Sequence, residues 1–540
     1  MRIILSIGLI FHVLHAQPDS RFDIFDWALY RQTESINSIS EGYNYAYFAT
    51  ENAGILRFQL FQKRFDEPIT TAQGLSSNKI KAIHFDQNTG MLWAASENSI
   101  EYSYNAKGDW FKAEISETGI LSKSQVEQIG SSNNFIWIST ENSFFKLDKI
   151  SGLMMGMLPL PDEDDIIWSS KRDQYLEIPN ILKDYTVMDG WSINQNGFIN
   201  SIGKYVEPNT FYFGKNSEVY IGMEDGTIFN GDVQMETFYP YHYGLNNSDV
   251  TAFTKLDNLW IVGQNNFRTE GVTKYSLRNN EFQHIDFENS INLKRQPFYS
   301  ILETDREVWF GGNSVVSIYN KKEDYWREIT EANGIINGRV TSLAEDSTAI
   351  WVGTTRGLSK ISKFSKHSEQ IDLERLLTMR KINDIEIVGN KLWIATDNYL
   401  LIFDQENNLL VDLKNLGNTD SIKVREDVLN NFTDIFYSGD GVFISTPVGI
   451  LKFDIHKEKW MVIAEPSVYE GSKVNNLVIS DRYCFLGTDY GIWQINIKDG
   501  FSQLYDFPFI GSVQDMYIQG DKLLIGSDKG LIKYLWKKNL

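Results

Sequence analysis

The sequence predicts an all-β fold assembled from one repeated four-stranded unit, and three observations predict it. First, a short apolar strand with a central large residue, then a small residue, a polar tip and a second apolar strand, recurs eleven times. The central positions are Phe48, Trp93, Trp137, Tyr220, Trp260, Trp309, Trp351, Trp393, Phe443, Phe485 and Leu524, most of them 39 to 50 residues apart. Second, an alternating segment such as "RVTSLAED" precedes the hairpin and another such as "DYWREIT" follows it. Third, Gly, Asn and Asp cluster between these segments. Alternation at period two marks half-buried strands, and such clusters mark turns. Four antiparallel strands repeating every ~42 residues are the blades of a β-propeller.

Eleven or twelve blades exceed the four to eight of one ring. Tandem β-propellers are therefore expected over residues 17–290 and 291–540, with six plus six or seven plus five blades. The double-length gap between Trp137 and Tyr220 holds "YTVMDGWSINQNGFINSIG", a candidate twelfth copy around Trp191, after the irregular "LPLPDEDDIIWSSKRDQYLEIPN". Near the N-terminus "FDIFDWALYRQ" reads as the outermost strand of a blade whose other three strands lie at the far end of the chain. In each copy the large residue is expected between neighbouring blades, and the small residue after it lets them close up. "SKFSKHSEQIDLERLLTMRKIND" and "DLKNLGNTDSIKVREDVLNN" read as surface insertions.

"MRIILSIGLIFHVLHAQPDS" has one basic residue, an apolar run from Ile3 to Leu14, and Ala16 before Gln17-Pro18. That is the layout of a signal peptide, residues 1–16. The run is too short to span a bilayer. No other segment is apolar enough, so the expectation is an exported protein of the periplasm, cell surface or extracellular space, with no membrane insertion after cleavage. The formal net charge is −20 with no compensating basic block. That disfavours nucleic acid, which needs clustered Lys and Arg, and anionic membrane surfaces.

Chemistry is sparse. The single Cys484 allows no internal disulfide and no thiolate metal site. The seven histidines show no metal-ligand spacing, and there is no nucleophile elbow or P-loop. Metal and cofactor are both expected to be none. "DQNTGMLWA" echoes a docking motif of quinone-dependent propeller enzymes but reads better as an Asn-Thr-Gly turn. "PDEDD" at 161–165 lacks the spacing of a calcium loop and reads as a solvated acidic loop. In a four-stranded blade, the loop leading to the first strand and the second turn open on one face. The second turns carry Glu51, Glu97, Glu141 and Asp397, each followed by Asn, and Asp489 followed by Tyr490, with Arg356 and Asn265 in the same place elsewhere. One face should thus be ringed by carboxylates and amides. Candidate ligand-binding residues are Asn265, Arg356, Tyr399, Asp489 and Tyr490, the tyrosines to stack on sugars and the polar groups to bond hydroxyls.

"GLSSNKIKAIHFDQNTGMLWAASENSIEYS" from Gly74 and "NGIINGRVTSLAEDSTAIWVGTTRGLSKIS" from Asn333 resemble the two-component regulator propeller repeat. The pattern has an N-G-L opening, a strand ending near Asp, leucine-Trp-Ile-Gly-Thr, then Gly-Leu. It is sharp in about half the copies. The resemblance implies the extracellular sensor of hybrid histidine kinases, which binds oligosaccharides, or a kinase-less exported protein such as a tandem-propeller component of type IX secretion. No kinase, DNA-binding region, transmembrane helix or C-terminal β-sandwich follows the blades here. The expected function is therefore non-catalytic: binding an envelope or extracellular glycan, or another envelope protein. The alternative is a propeller-type polysaccharide lyase or glycosidase, which would need a paired acid and base.

Overall fold

A computed structural model describes residues 23–539 apart from 120, 122–123, 174–175, 180–181, 195, 216, 257, 265–270, 287–292, 294–295, 412–415, 418–429 and 481. The expected signal peptide and most of the second insertion lie outside the described residues. In "AIWVGTTRGLSKIS", Ala349–Thr354 pairs antiparallel with Gly357–Ser362, Thr354 opposite Gly357. Val340–Glu345 flanks the pair on the inner side and Ser368–Glu369 on the outer. The same order recurs along the chain: tandem β-propellers with eleven blades among the described residues.

The inner strands of blades 1 to 4 are Ile36–Glu41, Ala82–Phe85, Val126–Ser131 and Pro208–Phe213. Those of blades 5 to 8 are Ala252–Phe253, Ser300–Glu303, Val340–Glu345 and Ile382–Val388. Blades 9 to 11 begin with Ile435–Ser438, Val474–Ser480 and Val513–Gln519. The inner strands of blades 5 to 11 touch one another in chain order, and that of blade 11 returns to blade 5. In the N-terminal half, blade 1 sits between blades 2 and 4, and blade 2 touches blade 3. On its other side the inner strand of blade 3 pairs with Ile167–Trp168, a strap running on to blades 1 and 4. Ser170 N–H donates to Ile39 O at 2.9 Å, and Thr210 Oγ1 to Ser170 Oγ at 2.6 Å.

The candidate twelfth copy is not a four-stranded blade. Ser192–Asn194, Gly197–Ile199 and Tyr205–Val206 form a separate three-stranded sheet, and Trp191 packs under blade 4 with Phe198 and Phe229. The repeat stops here because "INQNGFI" provides one tight hairpin but no apolar inner strand before it. The first insertion forms a short helix, Leu373–Leu377, anchored by buried Leu373 and Leu377.

The eleven central residues of the repeat are all buried, five tryptophans at 2% exposure or less. Two positions on, on the same face of the strand, the residue is often glycine because a neighbouring blade presses on it. A Cβ on Gly353 would meet Ile382 Cγ2 at 2.7 Å, and one on Gly487 would meet Val513 Cγ1 at 2.5 Å. One on Gly526 would meet Val250 Cγ1 at 2.7 Å, across the seam between blades 11 and 5. That seam is reinforced from the other end of the chain. Trp27–Tyr30 pairs with Gly530–Tyr534 as the outermost strand of blade 11, as the terminal segment suggests. Trp27 stacks on Tyr534 with centroids 3.9 Å apart.

Gly353→Val should overpack the contact between blades 7 and 8. Such overpacking costs about 1–3 kcal/mol, which lowers the melting temperature by about 2–10 °C. Calorimetry checks this, and an unchanged midpoint would contradict the packing.

Candidate functional site

The mouth of the seven-blade circuit is built by a break in alternation. Each inner segment of blades 5 to 11 reads apolar, polar, small or polar, apolar: "VTAF", "FYSI", "VTSL", "INDI", "FTDI", "VNNL" and "VQDM". Two polar residues in a row do not fit a regular pleat. In blades 7, 8, 10 and 11 the register slips by one there, leaving Thr341, Asn383, Asn475 and Gln514 as the extra residues of β-bulges. These four, with Thr251, Tyr299 and Thr433 at the same place in blades 5, 6 and 9, line one open cavity of about 680 Å³. Arg339, Lys381, Lys473 and Tyr469 stand around it.

The mouth residues also staple blade to blade. Thr341 Oγ1 donates to Ile382 O at 2.6 Å, Asn383 Nδ2 to Phe432 O at 2.8 Å and Asn475 Nδ2 to Val513 O at 3.1 Å. The amides of Asn383 and Asn475 also donate to Asp397 at 2.9 Å and Asp489 at 2.7 Å, second-turn carboxylates of their own blades. The amide oxygens and Lys473 remain for a ligand, while Lys381 lies 3.9 Å from Asp397. Arg339 lies 5.0 Å over the Tyr299 ring, and Lys473 lines the cavity with no ion pair among the described residues.

The next residue inward faces the following blade. Asp384 Oδ2 accepts from Ile435 N–H at 2.9 Å, Asp434 Oδ2 from Leu477 N–H at 2.7 Å and Asp515 Oδ2 from Phe253 N–H at 3.1 Å. Ser342 Oγ serves Ile385 N–H in the same way. Enclosure in the channel raises all three carboxyls above their usual range. Glu386 is pushed up to about 7, by enclosure first and then by Asp384, against the pull of Lys255. Enclosure opposes the charge of Lys255, but Asp515, Glu386, Asp434 and Asp384 outweigh it and raise its pKa. Lys255 and Glu386 line a cavity of about 510 Å³ at the opposite mouth with Tyr437 and Tyr517.

Asn265 lies outside the described residues. Arg356 lines a cavity of about 650 Å³ beside the inserted helix, with Arg375 and Asp372. Tyr399 is 49% exposed under the Arg380 guanidinium, 5.0 Å away, and Tyr490 is 81% exposed. Asp489 is held by Asn475 and by Ser512 Oγ at 3.3 Å. None of these four lines the mouth cavity. The lining residues supplied by the inner strands were legible as the first of two residues between apolar ones, a polar pair in every blade of the circuit but blade 5. The other motifs serve the fold. Asp86 accepts from Thr89 Oγ1 at 2.6 Å in its turn and pairs with buried Lys149 at 3.1 Å. In the acidic loop Asp162 pairs with Lys146 at 2.8 Å, and Glu163 accepts from the Trp137 indole at 2.9 Å.

The class this defines is a tandem β-propeller with one polar mouth assembled from seven copies of its repeat. The chain is similar in structure to PorZ, an essential bacterial surface component of the type-IX secretion system of Porphyromonas gingivalis. The match covers 94% of this chain and 87% of that one, at 10% identity and a TM-score of 0.59. Two extracellular domains assigned to hybrid two component systems of B. thetaiotaomicron align over 92% and 91% of this chain and 69% and 73% of theirs. Their identities are 12% and 16% and their TM-scores 0.43 and 0.41. At these identities the likeness is one of fold. No family model matches the sequence, and no curated protein does.

Because Glu386 holds its proton to about 7, against about 4.3 in an unfolded chain, the folded protein binds more protons between those values. Glu386's contribution to stability therefore falls as pH rises from about 4.3 to 7 and levels off above. Glu386→Gln should remove that share of the slope and stabilise the protein at pH 8 by up to about 4 kcal/mol. Denaturant unfolding at pH 5 and pH 8 reads it, and an unchanged pH slope in the variant would contradict the assignment.

Proposed function

We propose that this is a non-catalytic, exported β-propeller protein of the bacterial cell envelope whose seven-blade circuit binds a glycan at its mouth. The observation that carries the reading is the convergence of one side chain from every blade on one cavity, with the partly exposed Tyr299 beside amides, hydroxyls and cations. Sugar recognition wants that mixture: an aromatic face for C–H groups and fixed polar atoms for hydroxyls. The likeness in fold to a bacterial surface component and the signal-like N-terminus support an envelope location. The division into units belongs to the same reading. Blades 1 to 4 form one propeller and blades 5 to 11 the other, so the crossing falls between Tyr241 and Ala252 and not at residue 290. Trp27–Tyr30 belongs to the second unit.

An enzyme is the second reading, favoured by Glu386, a carboxyl titrating near 7 in the channel below the mouth. Against it, Asp384, Asp434 and Asp515 are each committed to a backbone N–H of the next blade.

Thermal unfolding against an oligosaccharide panel tests the proposal. A ligand at a hundred times its Kd stabilises by about 2.7 kcal/mol, a rise of about 5–10 °C. One sugar class should give this shift, and Tyr299→Ala and Lys473→Ala should abolish it. No shift with any sugar would overturn glycan binding, and release of product from the bound sugar, lost in Glu386→Gln, would establish the enzyme.

A further inference from the structure

The flank of blade 3 differs from every other inner-strand flank described above. Where blades 7, 8 and 10 use the bulged residue to staple the next blade, and blades 1 and 4 do so through Asn37 and Asn209, blade 3 carries Glu127. Its neighbour on that side is the strap at Ile167–Trp168, two residues of pairing, and not another blade's inner strand. Glu127 has no hydrogen-bonded or ionic partner among the described residues, and neither does Glu141. Both line a groove of about 550 Å³ between the second turn of blade 3 and the strap. Its apolar walls are Phe144, Leu160 and Trp168. Leu160 is 71% exposed and Ile167 60%, although both are large aliphatic side chains. Exposed apolar surface of this kind, rimmed by polar groups, marks interaction sites.

Charge selects the occupant. The strap runs straight from Leu160 into the carboxylates Asp162, Glu163, Asp164 and Asp165, of which Lys146 neutralises one. In the groove itself Glu127 and Glu141 outnumber the single cation Lys171, so it carries excess negative charge beside its apolar walls. A second copy of this chain, with its net charge of −20, would bring more of the same sign. We infer that this groove docks an extended segment of a partner protein in which Lys or Arg alternates with aliphatic side chains. The aliphatic groups would cover Leu160, Phe144 and Trp168, and the cations would meet Glu127 and Glu141. Exposed carboxylates flanking apolar walls give both attraction and register once a partner covers them.

The test uses two labelled twelve-residue probes, alternating Lys-Leu and alternating Glu-Leu, titrated by anisotropy with the whole protein at about 150 mM salt, where long-range attraction is screened. The Lys-Leu probe should bind and the Glu-Leu probe should not. Glu127→Gln with Glu141→Gln, and separately Leu160→Ser, should each weaken binding about tenfold. Asp440→Asn with Asp521→Asn, which removes two exposed carboxylates elsewhere, should leave it unchanged. Equal losses in the groove and control variants, or binding of both probes, would overturn the inference. So would no binding of the Lys-Leu probe, or a dimer in sedimentation that Leu160→Ser dissociates.

Discussion

The close approach of one blade to the next is the constraint on which the rest depends. A tryptophan or its equivalent fills the space between two sheets, and the residue two positions on must be small because the neighbouring blade begins 2.5–2.7 Å from where its Cβ would be. Buried aromatics supply most of the driving force, but the small residue sets how near the sheets come. That distance brings each inner strand within hydrogen-bond reach of its neighbour. The mouth amides and hydroxyls, and the aspartates one residue deeper, bond around the circuit only because the packing places backbone carbonyls and N–H groups there.

This explains why structure and candidate function share residues. The bulge that breaks the alternation turns a side chain to the mouth and lets it reach the next blade. The mouth is therefore rigid without a ligand, and a rigid site loses less ordering entropy on binding. The same logic leaves a trace where the circuit is interrupted. At blade 3 the stapling position faces a strap, and its residue is a carboxylate with no partner among the described residues.

The fold was legible because its signals are local and repeated: period-two alternation, a tryptophan at fixed phase and turn residues. The pairing of Trp27–Tyr30 with Gly530–Tyr534 was also readable, since a lone outer strand at one end matched a blade short of one at the other. The sheet around Trp191 was not, because a single hairpin there imitates the centre of a blade. The site was less legible. Tyr399, Asp489 and Tyr490 were drawn from second turns, where Asp and Asn are favoured by turn geometry whatever they bind. The informative signal was the doubled polar pair in "INDI" and "VNNL", which means little until the bulge shows which of the two faces the mouth. The carboxylates around Lys255 come from blades far apart in sequence, and only closure of the circuit gathers them.

Closure of the seven-blade circuit between blades 11 and 5 is the central claim, and cysteine cross-linking of Gly526→Cys with Val250→Cys tests it most directly. A Cβ at Gly526 lies 3.3 Å from Val250 Cβ, close to the separation a disulfide spans, and the single native thiol, Cys484, is buried elsewhere. Mild oxidation should join the pair within one chain, with loss of both new thiols and a higher melting temperature. Thiols that stay free while the protein remains folded would mean that blades 11 and 5 do not meet, and would contradict the circuit and the mouth built on it.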